Sequence, residues 1–108
     1  MRISDHELRA EEAFNFLSDT DEEHAQLKAR MHLNESHRKQ VVAAGFAGSK
    51  FTAQEAKRQD AHNTPEYRAH ILLQEEVEAA FYLLHNRRER ANQAIELYRT
   101  FSANQRSS

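Results

Sequence analysis

Seven histidines and no cysteine set the first chemical question this chain poses. Asp21-x-x-His24 has the carboxylate-to-histidine spacing of helical di-metal sites, because residues three apart share one side of a helix. Those sites also require a second such motif and two further inward carboxylates, and the neighbourhoods of His62, His70 and His85 supply no second motif. The histidines are therefore expected at surfaces or interfaces, with no metal bound. No glycine-rich phosphate loop, nucleophile elbow or paired nucleophile and base is present. Without cysteine there is no thiolate nucleophile, no thiolate zinc site and no disulfide framework. The expectation is a protein that has no enzymatic activity, needs no cofactor and works by binding.

Charge is more informative than the histidines. The net charge of −2 hides four blocks of alternating sign. Residues 1 to 23 carry eight acids against two bases, and residues 24 to 62 carry seven bases against three acids. Residues 63 to 85 are again acidic, at −3, and residues 86 to 108 are basic, at +3. Binding to a polyanion depends on where positive charge clusters, so a near-neutral total leaves it open. The seven bases are Lys28, Arg30, Arg38 and Lys39 on a helical segment and Lys50, Lys57 and Arg58 on the connection that follows. Cations spread in this way can track a phosphate backbone, releasing one counterion for each phosphate neutralised. Phe46, Phe51 and His62 are candidate stacking surfaces for bases. The plainer reading is a solvated helix face interleaved with Glu35, Glu55 and Asp60.

The elements that would carry these residues are helical. In 108 residues there are two glycines and one proline, 39% hydrophobic and 30% charged residues, a composition of long uninterrupted helices. A first helix, capped by Ser4 or Asp5, shows Leu8, Ala13, Phe14 and Leu17 as its apolar side. Ser18-Asp19-Thr20 reads as an interruption, with Thr20 and Glu23 forming a capping box for a second helix; one long bent helix is the alternative. The arm from about residue 20 to 46 has a thin inward stripe of Ala25, Leu27, Met31, Val41 and Val42, into which Asn34 and Arg38 intrude. It should stop near Gly45 and Gly48. Thr52 with Glu55 opens a short polar helix to about Ala61. Thr64-Pro65-Glu66 is the clearest start signal, with a cap, proline at the first helical position and an acid at the positive end of the dipole. The helix it opens, 65 to 103, has the near-heptad inward face Leu73, Val77, Ala80, Phe81, Leu84, Ala91, Ile95 and Tyr98.

The fold class expected is all-α. It is a long helical hairpin in a single domain, with a short N-terminal helix, a short connecting helix and a C-terminal helix through which copies associate. A two-arm hairpin cannot cover all its apolar faces, which implies a homo-oligomer. The N-terminus lacks a signal-peptide apolar run, and no stretch approaches the roughly 20 apolar residues that span a bilayer, so a soluble, cytoplasmic protein with no membrane partner is expected.

Two stretches, Ala25-Gln26-Leu27-Lys28-Ala29-Arg30-Met31 and Arg88-x-x-Ala91-x-x-x-Ile95-x-x-x-Arg99-x-Phe101-x-Ala103, together resemble the phage recombination mediator (UvsY-like) family. There a Leu-Lys-Ala-Arg stretch lies a similar distance before a C-terminal helix of this pattern. The matched positions cover about a sixth of the chain, and the acidic N-terminus and the Thr64-Pro65 start depart from the family pattern. The resemblance implies Lys28 and Arg30 as contacts to single-stranded DNA, and Ala91, Ile95, Arg99 and Phe101 in an oligomer-forming helix that contributes to assembly into a ring. It further implies a bacteriophage protein acting in the host cytoplasm, which helps a RecA-like recombinase displace single-strand-binding protein. The competing readings are a helical protein-binding factor, such as a host-enzyme inhibitor or an adaptor, and a purely structural coiled-coil oligomer.

Overall fold

The structure, a computed structural model, describes residues 3 to 107. The chain is an all-α helical hairpin: α1 spans Ile3–Ala47, α2 spans Gln54–Ala61 and α3 spans Pro65–Ser107, with no strand among the described residues. No helix is long and apolar enough to cross a membrane among those residues. The chain divides into two compact units, one built from α1 up to Ala25 and α3 from Phe81 onward, the other running from Gln26 to Ala80.

In the first unit the inward side of α1 is His6, Ala10, Ala13, Leu17, Thr20 and His24, alternately four and three residues apart. On α3 it is Phe81, Leu84, Arg88, Ala91, Ile95 and Tyr98, again on a heptad period. Small residues on α1 meet large ones on α3, the combination that lets two helices approach closely. This corrects the expected apolar side. Ala13 and Leu17 do face inward, but Leu8 is 55% and Phe14 65% exposed, while His6 and Ala10 are buried. The His6 ring lies 4.7 Å from that of Phe101, and His24 stacks on Phe81 and His85.

The expected interruption at Ser18-Asp19-Thr20 does not occur, and α1 is continuous through it. The Thr20 hydroxyl donates back to the Phe16 carbonyl at 2.7 Å, so it caps no new helix. Arg88 explains why polar residues stand here. Its guanidinium crosses from α3 to donate to the Leu17 carbonyl and the Thr20 hydroxyl, each at 2.8 Å, and to the Asp21 carboxylate at 3.1 Å. A segment that reads locally as a break is the docking point of a cation from the opposite helix.

In the second unit the inward side of α1 continues as Leu27, Met31, Asn34, Arg38, Val41 and Gly45, facing Tyr67, His70, Gln74 and Val77 of α3. The expected stripe thus keeps Leu27, Met31 and Val41, whereas Ala25 is exposed. α1 ends at Ala47, next to Gly48, as expected, while Gly45 lies inside the helix and allows close packing: a Cβ there would stand 3.0 Å from the Ala61 Cα and 3.2 Å from the Thr64 Cγ2. Ala61, fully buried, is the one buried residue of α2. That helix begins after Ala53 without a side-chain cap, so the expected Thr52–Glu55 box is not formed. The Thr64 start is formed. Its hydroxyl accepts from the Tyr67 amide at 3.1 Å, and its carbonyl accepts from the Arg68 amide.

The Arg88 side chain is 15% exposed, whereas Asp21 is 78% exposed. Charge-assisted bonds from a largely buried donor outweigh an exposed ion pair. Arg88→Ala should lower unfolding free energy by about 2 kcal/mol in a urea titration followed by circular dichroism. Asp21→Ala should cost less than about 1 kcal/mol.

Candidate nucleic-acid interface

Four of the seven cations singled out in the sequence converge. Arg38 and Lys39 on α1 and Arg58 on α2 line one groove of about 460 Å³ with Val42, Ala43, Phe46 and His62. Lys57 joins them, its ammonium 5.3 Å from the centre of the Phe46 ring. The convergence follows from local structure. Arg38, Val42 and Phe46 stand one helical turn apart on α1, with Lys39 and Ala43 beside them, and the close Gly45–Ala61 crossing brings α2 to that turn. His62, just beyond α2, donates its Nδ1 proton to the Arg58 carbonyl at 2.7 Å and stands edge-on to Tyr67. Phe46 and His62, two of the three candidate stacking residues, therefore share the groove with the cations. Phe51, 56% exposed on the loop, does not line it.

Two of the cations have partners. Arg38 holds Glu35 through two bonds of 2.6 and 3.2 Å, and this contact keeps the Glu35 carboxyl below, and the Arg38 guanidinium above, their ordinary ranges. Arg58 faces Glu55 at 3.9 Å, with both side chains well exposed. Exposed pairs of this kind are weak and exchange readily for a phosphate, while Lys39 and Lys57 add charge with no carboxylate in an ion pair with them among the described residues. The groove thus combines planar and point cations with an aromatic floor.

The remaining positions lie elsewhere. Arg30 lines a different groove with Leu33, Asn34, His37, Leu73 and Val77, and Lys28 and Lys50 are exposed but line neither groove. Of the residues named for oligomer formation, Val77, Phe81, Leu84 and Ala91 are buried within the chain's own seam, and Ile95, Tyr98 and Phe101 are half-buried. Leu73 is half-exposed, and Arg99 is exposed and paired with Glu96 at 2.8 Å. Asp21 of the Asp21-x-x-His24 spacing accepts from Arg88, and His24 lies against His85 at 3.3 Å. The sequence reading missed the histidine pair at the level of Arg38. His37 and His70 meet Nδ1 to Nδ1 at 2.6 Å, and His70 is 2% exposed.

One ring of that pair must donate its Nδ1 proton to the other. The His70 Nε2 has no hydrogen-bond partner among the described residues. A bare buried lone pair costs less than a bare buried N–H, which makes His70 the Nδ1–H donor.

No protein-family model, curated protein or solved structure matches the chain.

Burial holds the His70 imidazole below its ordinary value of 6.5, helped by His37 and Arg38 and opposed by Glu35. The unfolded chain therefore takes up a proton near pH 6.5 that the folded chain refuses, and this contribution to stability, complete above 6.5, is lost as pH falls below it. The urea midpoint should fall between pH 7.5 and pH 5.5. His70→Leu should flatten that slope, since the exposed His37 can then turn to water.

Proposed function

We propose that the chain binds single-stranded nucleic acid through the groove between α1 and α2, and does so as a homo-oligomer in the manner of a recombination mediator. The observation that carries this reading is the gathering of Arg38, Lys39, Lys57 and Arg58 around the Phe46 ring. Single strands present phosphates and unstacked bases together, and proteins that take them without sequence preference pair cations with aromatic platforms. A duplex would present only phosphates to such a groove.

Repetition of the groove in an oligomer supplies avidity, since once one copy is bound the next contact on the same strand is intramolecular. A protein of this kind acts by holding the strand and releasing it in steps rather than by chemistry. In the mediator reading it presents single-stranded DNA to a RecA-like recombinase in place of single-strand-binding protein, in a phage-infected bacterial cytoplasm. Exposed Leu72, Leu83 and Leu97 favour a second reading, a helical protein-binding factor without a nucleic-acid ligand.

Fluorescence anisotropy of a labelled single-stranded oligonucleotide over a salt series separates the two. Four groove cations on a single strand correspond to a slope of log affinity on log salt of about −3. Lys57→Ala with Arg58→Ala should weaken binding at least tenfold and bring that slope about 1.4 closer to zero, from two lost phosphate contacts. Lys28→Ala with Arg30→Ala, the positions the family resemblance implies, should have the smaller effect. Absence of binding even at low salt would favour the protein-binding factor.

A further inference from the structure

The seam between the helices uses one heptad stripe of α3 in the first unit, and the same stretch of α3 carries a second one. Leu83, Arg87, Arg90, Ala94 and Leu97 recur four and three residues apart, one position round the helix from the inward set. Leu83 is 64% and Leu97 53% exposed, so large apolar side chains on this stripe face water in the single chain. The side it occupies is fixed by two contacts. The Arg87 guanidinium lies over the Phe16 ring at 5.0 Å, and Phe16, Arg87 and Arg90 line one depression. The matching stripe of α1 is therefore the one through Phe16, which is Glu12, Phe16, Asp19 and Glu23. On this side the unit is acidic along α1 and basic along α3, with apolar residues between.

We propose that this side is the docking surface for a second copy of the chain, in a twofold dimer whose axis runs parallel to the helices. Charge selects that axis. A twofold across the helices would lay α1 on its own copy and oppose Glu12, Asp19 and Glu23 to themselves. A twofold along the helices lays α1 of one copy on α3 of the other. The register is set by the contacts within the chain, which bring Arg88 to Leu17, Thr20 and Asp21, and Phe101 to His6. A rotation about an axis along the helices keeps each residue at its own height. Asp19 of one copy then falls between Arg87 and Arg90 of the other, and Glu23 falls between Leu83 and Arg87. Both sets of contacts form twice, as an isologous interface requires.

The area suffices. Two helices side by side are about 20 Å wide, and some 23 residues of α1 extend about 35 Å, which gives an interface of about 1,400 Å² in total. Specific interfaces begin near 1,000 Å². This deepens the homo-oligomer part of the reading above and rests on that part alone, because none of its residues lines the nucleic-acid groove.

The test needs no nucleic acid. Light scattering coupled to size exclusion on the full chain, over a range of concentrations, should give twice the chain mass. Asp19→Arg with Glu23→Arg should weaken self-association at least tenfold, as should Arg87→Glu with Arg90→Glu, with helicity by circular dichroism unchanged. An equimolar mixture of the two double variants should recover the dimer, since each then offers the other a complementary pair of faces. A parent chain that stays monomeric at all concentrations would overturn the proposal. So would a dimer that ignores both charge reversals, or variants that remain monomeric on mixing. Loss of nucleic-acid binding with the dimer retained would count against the groove and leave this interface standing.

Discussion

Two helices laid side by side have no third layer to shield them, so each of these units depends on how closely the pair can approach along one seam. In the first unit Ala10 and Ala13 supply the closeness, and Arg88 fixes the register by bonding to the Leu17 carbonyl and the Thr20 hydroxyl. Apolar burial is non-directional and tolerates sliding along a heptad. A guanidinium bonded to a carbonyl and a hydroxyl on the opposite helix does not. His70 plays a comparable part in the second unit, where its Nδ1 bonds to the Nδ1 of His37 on α1 at 2.6 Å.

Close approach also sets what can be built at the turn of the hairpin. Because Gly45 lets α1 touch Ala61, α2 is brought onto the last turns of α1, and cations that stand some 20 residues apart in sequence come to share one groove. A larger residue at position 45 would separate Arg38 and Lys39 from Lys57 and Arg58. The glycine thus belongs to the chain of causes that leads from helix packing to the shared groove, although it carries no chemistry itself.

The helical class, the Thr64-Pro65 start and the inward set Val77, Phe81, Leu84 and Ala91 were legible in the sequence, since capping chemistry and heptad spacing are local signals. The continuity of α1 was not. Ser18-Asp19-Thr20 resembles a break only as long as Arg88, some seventy positions away, is out of view. The inward side of α1 was misread at Leu8 and Phe14 because hydropathy selects large residues, whereas a close helix contact selects alanine. The exposed second stripe of α3 has the opposite cause: its period was present, but Arg87 and Arg90 masked it as a charged face. Of the cations, sequence proximity gave no hint that Arg38 and Lys39 would share a groove with Lys57 and Arg58. Lys28 and Arg30, two apart on one helix, could not face the same way.

The proposed nucleic-acid site is the turn of the hairpin, formed by α1 and α2 together. Hydrogen–deuterium exchange of the full chain with and without a saturating single-stranded oligonucleotide tests it most directly. Added protection is expected over residues 38 to 46 and 54 to 62. Protection confined to residues 24 to 31, or no change anywhere in the presence of excess oligonucleotide at low salt, would contradict it.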